Sequence, residues 1–204
     1  ELTREVAGAA PPAARLLRPG IGYLRVAEFG ETTAAAMRKA VAQLEREGAR
    51  ALVVDVRGAA RGPYDGGIAA ARLFVPGGTL ALVDTRNEAR RSITANPGDG
   101  ALTLPLALLT DFGTAGAAEL FVAAIVGSKR GESFGERTQG RAAVQRLFPL
   151  PDGGALWMSH AWYLTPSGTT LHERGLQPDV PVPQPDVVFG SRFLGAPRRT
   201  TMFW

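Results

Sequence analysis

Leu104-Pro105-Leu106-Ala107-Leu108-Leu109, followed shortly by Gly113-Thr114-Ala115-Gly116-Ala117-Ala118-Glu119-Leu120, decides the fold of this chain. An apolar run of strand length leads into a turn carrying glycines. An Ala-rich segment follows, with apolar residues at Ala117, Leu120, Phe121, Ala124 and Ile125, and the whole reads as strand, sharp turn and helix. The helix is expected to begin near Ala115. At such a junction the first backbone N–H groups of the helix have no intrahelical partner and point at whatever negative charge develops there. Enzymes often mount a nucleophile on this scaffold, but Gly116 brings no side chain.

Working upstream, Ala51-Leu52-Val53-Val54-Asp55-Val56 is nearly continuous in apolar residues and reads as a buried strand of parallel type. Before it, Met37, Ala40, Val41 and Leu44 recur at helical spacing between Thr33 and Glu47, and Gly48 stands where a helix-ending glycine belongs. Ile21 to Val26 is a short strand. Strand, helix and strand in that order predict an α/β core. A short helix is expected from Gly66 to Phe74 and a strand from Thr79 to Val83. Residues 86–103 read as a polar excursion rich in turn formers. Downstream of the central helix, Val144 to Phe148 and Ala155 to Tyr163 read as strands around the turn Asp152-Gly153-Gly154.

At 204 residues with 45% hydrophobic content the chain is long enough for a sizeable core. No stretch approaches the roughly 20 apolar residues of a membrane span. The absence of cysteine excludes disulfides and thiolate metal sites. Net charge is +4, and only Lys39 and Lys129 among the 23 basic residues are lysines, a bias that makes most arginines, including Arg90-Arg91 and Arg198-Arg199, solvated surface charge. No aromatic-interleaved basic patch points to nucleic acid, and neither a metal-ligand spacing nor a cofactor motif is present. The first residue is Glu1, so a trimmed or processed product is expected, with any export signal or upstream domain outside it. Residues 1–20, Ala/Pro-rich with Pro11-Pro12, read as a linker or lead-in strand; 21–186 as the domain; and the segment from 187 to Met202-Phe203-Trp204 as a C-terminal tail.

The turn at 113–119 resembles that of the C-terminal processing peptidases, or tail-specific proteases, whose Ser/Lys members carry Gly-Ser-Ala-Ser-Ala-Ser-Glu. The resemblance covers about residues 20–181, including Ile21-Gly22-Tyr23-Leu24-Arg25-Val26, Asp55-Val56-Arg57, Gly140-Arg141-Ala142-Ala143-Val144-Gln145, Thr165-Pro166-Ser167-Gly168 and Gly175-Leu176-Gln177-Pro178-Asp179-Val180. It implies an α/β (α+β) domain built as a spiral of β-β-α units related to the Clp peptidase and crotonase folds. It also implies a preceding PDZ domain, which this chain lacks, with Leu2-Thr3-Arg4-Glu5 resembling that domain's exit strand.

Laid on the family pattern, the nucleophilic serine falls on Gly116 and the general-base lysine on Arg141, while the glutamine that orients the lysine is kept as Gln145. The oxyanion-hole backbone falls on Arg61, Gly62 and Ala117. There Pro-Gly-Gly has become Ala60-Arg61-Gly62, and a non-Gly residue at Arg61 would cost about 1–2 kcal/mol if the position demanded positive φ. Glycine supplies no nucleophile. A guanidinium holds its proton too tightly to act as a base. The expectation is a protease fold without its dyad, a pseudoprotease that binds unfolded polypeptide or a protein C-terminus, with Arg141 available to a carboxylate. A PDZ domain or partner subunit would complete it, and the family implies the bacterial envelope or the cell exterior.

Alternatives stay open. The domain could be an active endopeptidase, or one inactivated by design at Gly116. Thr114 could replace the nucleophile. Ser159-His160 are neighbours on a strand and point to opposite faces, which favours packing or surface roles, and His172 reads as structural. From another class, a lipophilic ligand module would use Phe121, Phe134, Phe148, Trp157 and Trp162 as a cavity lining, as a non-proteolytic relative of the fold does.

Overall fold

A computed structural model describes residues 11–86 and 88–182. Its elements in order are β1 (Ala13–Arg18), β2 (Ile21–Arg25), α1 (Thr33–Arg46), β3 (Ala51–Asp55), α2 (Tyr64–Arg72), β4 (Thr79–Thr85) and β5 (Arg91–Thr94). There follow β6 (Leu106–Thr110), α3 (Ala117–Gly127), β7 (Glu132–Gly135), β8 (Ala143–Pro149), β9 (Ala155–Leu164) and β10 (Val180–Pro181). Two sheets organise them. The first runs β1-β2-β3-β6-β7-β10, parallel throughout except where β1 pairs antiparallel with β2. The second, β5-β4-β9-β8, is antiparallel. This is the mixed α/β architecture expected from the sequence.

Helix α3 is the centre of the core because it is apolar on every side, and Ala117 to Ile125 are all buried. Phe121 lies between Phe29 and Phe74, with ring centroids 5.3 and 6.0 Å away. Helix α1 instead buries one stripe, Thr33, Met37, Val41 and Leu44, against the first sheet's inner face. Helix α2, rich in Gly and Ala, is thin enough to lie close against α3.

The elements expected at 21–26, 33–47, 51–56, 79–83 and 104–109 all form, with ends shifted by a few residues. The lead-in segment contributes an edge strand, β1. Within the supposed polar excursion 86–103 lies β5, whose Arg-Ser-Ile-Thr sends only Ile93 toward the core. Leu2 to Glu5 and the tail from 187 lie outside the described residues.

Candidate functional site

The site forms where β6, α3 and the loop before β8 meet. Helix α3 begins at Ala117, two residues after the expected start, because Gly116 takes a non-helical backbone conformation; the Ala115 N–H donates to the Ala59 carbonyl at 2.9 Å. The chain then turns at Gly116 with φ 63° and ψ −118°. That backbone region belongs almost to glycine alone, and a side chain there costs on the order of 1–3 kcal/mol. Space is not the obstacle. A Cβ built on Gly116 would lie 3.7 Å from Arg141 Nη2, 3.7 Å from the Arg141 carbonyl oxygen and 3.8 Å from Tyr64 Cε1. The structure therefore brings residues 116 and 141 together, with the missing side chain directed at the guanidinium.

Glu119, on the first turn of α3 and fully buried, holds this geometry. One carboxylate oxygen accepts the Gly116 N–H at 2.9 Å and the Arg141 N–H at 2.8 Å. The other accepts the Gly140 N–H at 2.7 Å and the Thr138 hydroxyl. A single carboxylate so welds the turn to the segment 138–141, which reaches it from 20 residues along the chain. Thr138, itself buried, takes the Leu176 N–H on its hydroxyl oxygen at 2.8 Å, tying in the closing segment. A Glu three residues into a predicted helix is the sequence signal that could have marked this role; nothing in the sequence marks its partners.

The loop Arg57-Gly62 is fixed from both sides. Asp55, almost fully buried at the end of β3, accepts the Arg57 N–H and Nε at 3.0 Å each, Arg57 Nη2 at 2.7 Å and the Tyr23 hydroxyl at 2.7 Å. Burial by itself would raise the Asp55 pKa, but the donors from Arg57 and Tyr23 outweigh it and hold the carboxyl below the ordinary carboxylate range. The Arg57 guanidinium, bonded to that carboxylate, is held above its already high value. Tyr23 is pushed up by burial and by the Asp55 bond. Farther along, the Gly58 N–H donates to Asp111 Oδ1 at 2.7 Å. Positive φ falls on Gly58, at 65°, and on Gly62, at 107°, where an added Cβ would strike the Phe29 carbonyl oxygen. Arg61 lies outside the positive-φ region, so the strain cost expected there does not arise. Its carbonyl accepts the Phe29 N–H at 3.0 Å.

Arg141 is exposed, and one guanidinium nitrogen bonds the Ala60 carbonyl, bridging the two loops. Tyr64 flanks Gly116 and Arg141. Its hydroxyl donates toward the Arg141 carbonyl at 3.2 Å and the Ala143 carbonyl at 2.9 Å, and burial raises its pKa. Gln145 is turned away to the second sheet, where its Oε1 accepts Trp157 Nε1 at 2.6 Å.

Several candidates separate from the site. Thr114 is fully buried, and its hydroxyl donates to the Val56 carbonyl at 3.0 Å and to Asp111 Oδ1 at 3.1 Å, which removes it as a nucleophile. Ser159 and His160 stay on β9, with His160 Nδ1 3.1 Å from the Val144 carbonyl. His172 Nε2 lies 3.8 Å from Glu173 Oε1. The five aromatic residues considered as one cavity lining do not meet. Phe121 is in the core, Trp157 is exposed on β9, and Phe134 and Trp162 line two different surface hollows. The lipophilic cavity is thereby corrected: Phe121 is on helix α3, Phe134 on β7 of the first sheet, and Phe148, Trp157 and Trp162 on β8 and β9 of the second. Among the described residues no group of side chains could hold a metal ion, and no helix is long and apolar enough to cross a membrane.

A strained turn at a helix N-terminus, Arg141 facing it and the pinned loop 57–62 meet at one place. Residues 20–182 match the model of peptidase family S41, and the chain belongs to that family. It is 36% identical over 192 residues to the carboxyl-terminal-processing protease of Synechocystis sp., spanning 92% of this chain and 45% of that protein. It is 32% identical over 167 residues to the carboxy-terminal processing protease CtpA of Bacillus subtilis, spanning 81% of this chain and 36% of that one. The solved photosystem II D1 C-terminal processing protease superposes with a TM-score of 0.77 at 32% identity, covering 89% of this chain and 50% of the other. The chain thus spans less than half the length of these curated relatives.

Proposed function

We propose that this chain is a C-terminal-processing-protease domain that binds polypeptide without cleaving it. The observation that carries the reading is the pairing of an intact backbone frame with two empty chemical roles. The turn at Gly116 and its Glu119 bonds are kept, while the side chain facing Arg141 is absent. Acyl transfer of the Ser/Lys type needs a hydroxyl to attack and a neutral amine to take its proton. Gly116 has no hydroxyl, and residue 141 carries a guanidinium where the step requires an amine.

What remains is suited to holding an extended chain. Main-chain groups beside the site offer strand addition, in which backbone hydrogen bonds give affinity. The Arg141 guanidinium carries five N–H donors, of which one is engaged by the Ala60 carbonyl, so a carboxylate at a polypeptide's C-terminus is a fitting ligand. By the family's habit we place the protein in the bacterial envelope or outside the cell, with a PDZ domain or partner subunit delivering the client.

Titration with a peptide bearing either a free or an amidated C-terminus tests the reading. Binding that weakens by about tenfold or more on amidation, corresponding to loss of one charge-assisted pair, is expected. Equal affinity would remove the carboxylate role, and no binding of either form would remove the polypeptide.

A further inference from the structure

Among the described residues the ribbon made by β8 and β9 has no further partner strand along β8, and we propose that a second copy of this chain supplies it, pairing β8 with β8 antiparallel in a register centred on Leu147. This pairing does not depend on whether the groove binds polypeptide. In the second sheet β4 reaches β9 only along Ala161 to Leu164. Beyond that point Ala155 to Ser159 pair with β8 alone, and β8 is the edge of its sheet. A two-stranded ribbon is marginal in water and needs more strands or a covering layer. This one is also apolar on both faces. Leu147 and Trp157, directly opposite each other, share one face; Phe148, Leu156 and Met158 share the other. Of these, Trp157 is 60% exposed and Leu147, Leu156 and Met158 about half exposed. Such a concentration of large apolar side chains on a projecting edge marks an association surface.

The side-chain order selects the occupant and the register. Centring the pair on Arg146 would set two guanidinium groups opposite each other, which is unfavourable. Centring it on Leu147 sets Arg146 opposite the copy's Phe148. That repeats between chains the contact already made within one chain, where the Arg146 guanidinium lies 5.7 Å from the centre of the Phe148 ring. It also brings Leu147 against its own counterpart, with a Trp157 on either side. Two strands become four, β9-β8-β8-β9, and both apolar faces double in width.

The absence of native cysteine makes a direct test possible. In the proposed register two Leu147→Cys chains place their sulfurs opposite each other, within the Cα separation of about 4.4–6.8 Å that a disulfide spans. Two Gln145→Cys chains would sit roughly 13 Å apart along the strands, which a disulfide cannot bridge. Mild oxidation is expected to give covalent dimer from Leu147→Cys and little from Gln145→Cys. Equal cross-linking of both variants, or none from Leu147→Cys, would overturn the register. Sedimentation equilibrium of the unmodified chain is expected to show a concentration-dependent dimer. Phe148→Arg, which creates the like-charge pair without touching the core, should weaken it by about tenfold with unchanged circular dichroism. A monomer at every concentration overturns the proposal. So does β8 amide protection that develops only when an unfolded polypeptide is added, since the ribbon would then serve a client strand.

Discussion

The turn at Gly116 and the β8–β9 ribbon lie on either side of Arg141 and are finished in opposite ways. At the turn, buried donors from Gly116, Thr138, Gly140 and Arg141 converge on the Glu119 carboxylate. Along the ribbon, large apolar side chains stand in solvent and, among the described residues, the outer edge of β8 meets no further strand. The first region is closed by its own hydrogen bonds; the second presents an open edge among the described residues. The turn holds its backbone geometry with no side chain at residue 116, while the surface beside it carries exposed apolar side chains suited to association.

The comparison is easiest to break at Glu119. Glu119→Leu keeps most of the buried volume but leaves three backbone N–H groups and the Thr138 hydroxyl without their acceptor. At about 1–3 kcal/mol for each donor stranded in the interior, the loss should be at least about 4 kcal/mol. Denaturant unfolding measures it, and a loss under about 1 kcal/mol would show that the turn is not held by this carboxylate.

Gly116→Ser should have a smaller effect. The strained backbone costs about 1–3 kcal/mol, while the room around a Cβ prevents any further clash. Thermal unfolding of this variant beside the parent reads the cost. A neutral result would mean that the turn relaxes to an ordinary conformation, and the claim of a retained frame would fail with it.

Asp55→Asn sharpens the same contrast through pH. The folded-state pKa of Asp55 is depressed, so the stability it contributes is present in full above the unfolded value of about 4 and is lost as pH falls through the lowered folded value. The variant is expected to be less stable than the parent at pH 7, with the gap closing below about pH 4. A gap that stays constant down to acid pH would assign Asp55 a packing role only.

Much of the frame was legible in the sequence because it rests on local patterns. The Leu104–Leu109 run, the glycine turn and the all-round apolar helix predict strand, turn and helix directly, and Met37, Val41 and Leu44 mark α1. What escaped reading depends on contacts distant in sequence or on strands too short to show a period. The convergence of Thr138, Gly140 and Arg141 on Glu119 has no spacing that betrays it. Tyr64 falls just before the helix expected from Gly66, and nothing in the sequence shows that its hydroxyl meets the Ala143 carbonyl at the start of β8. Arg91–Thr94 and Glu132–Gly135 each carry one large apolar residue, which is too little to announce a strand.

The central claim is that the domain no longer cuts. Its most direct test is a digest of an unfolded protein followed by mass spectrometry, with the chain as it stands beside the double variant Gly116→Ser/Arg141→Lys. The account predicts that the parent leaves the substrate intact, whereas the double variant, set on the Glu119-held turn, yields fragments. Fragments produced by the parent chain itself would contradict it.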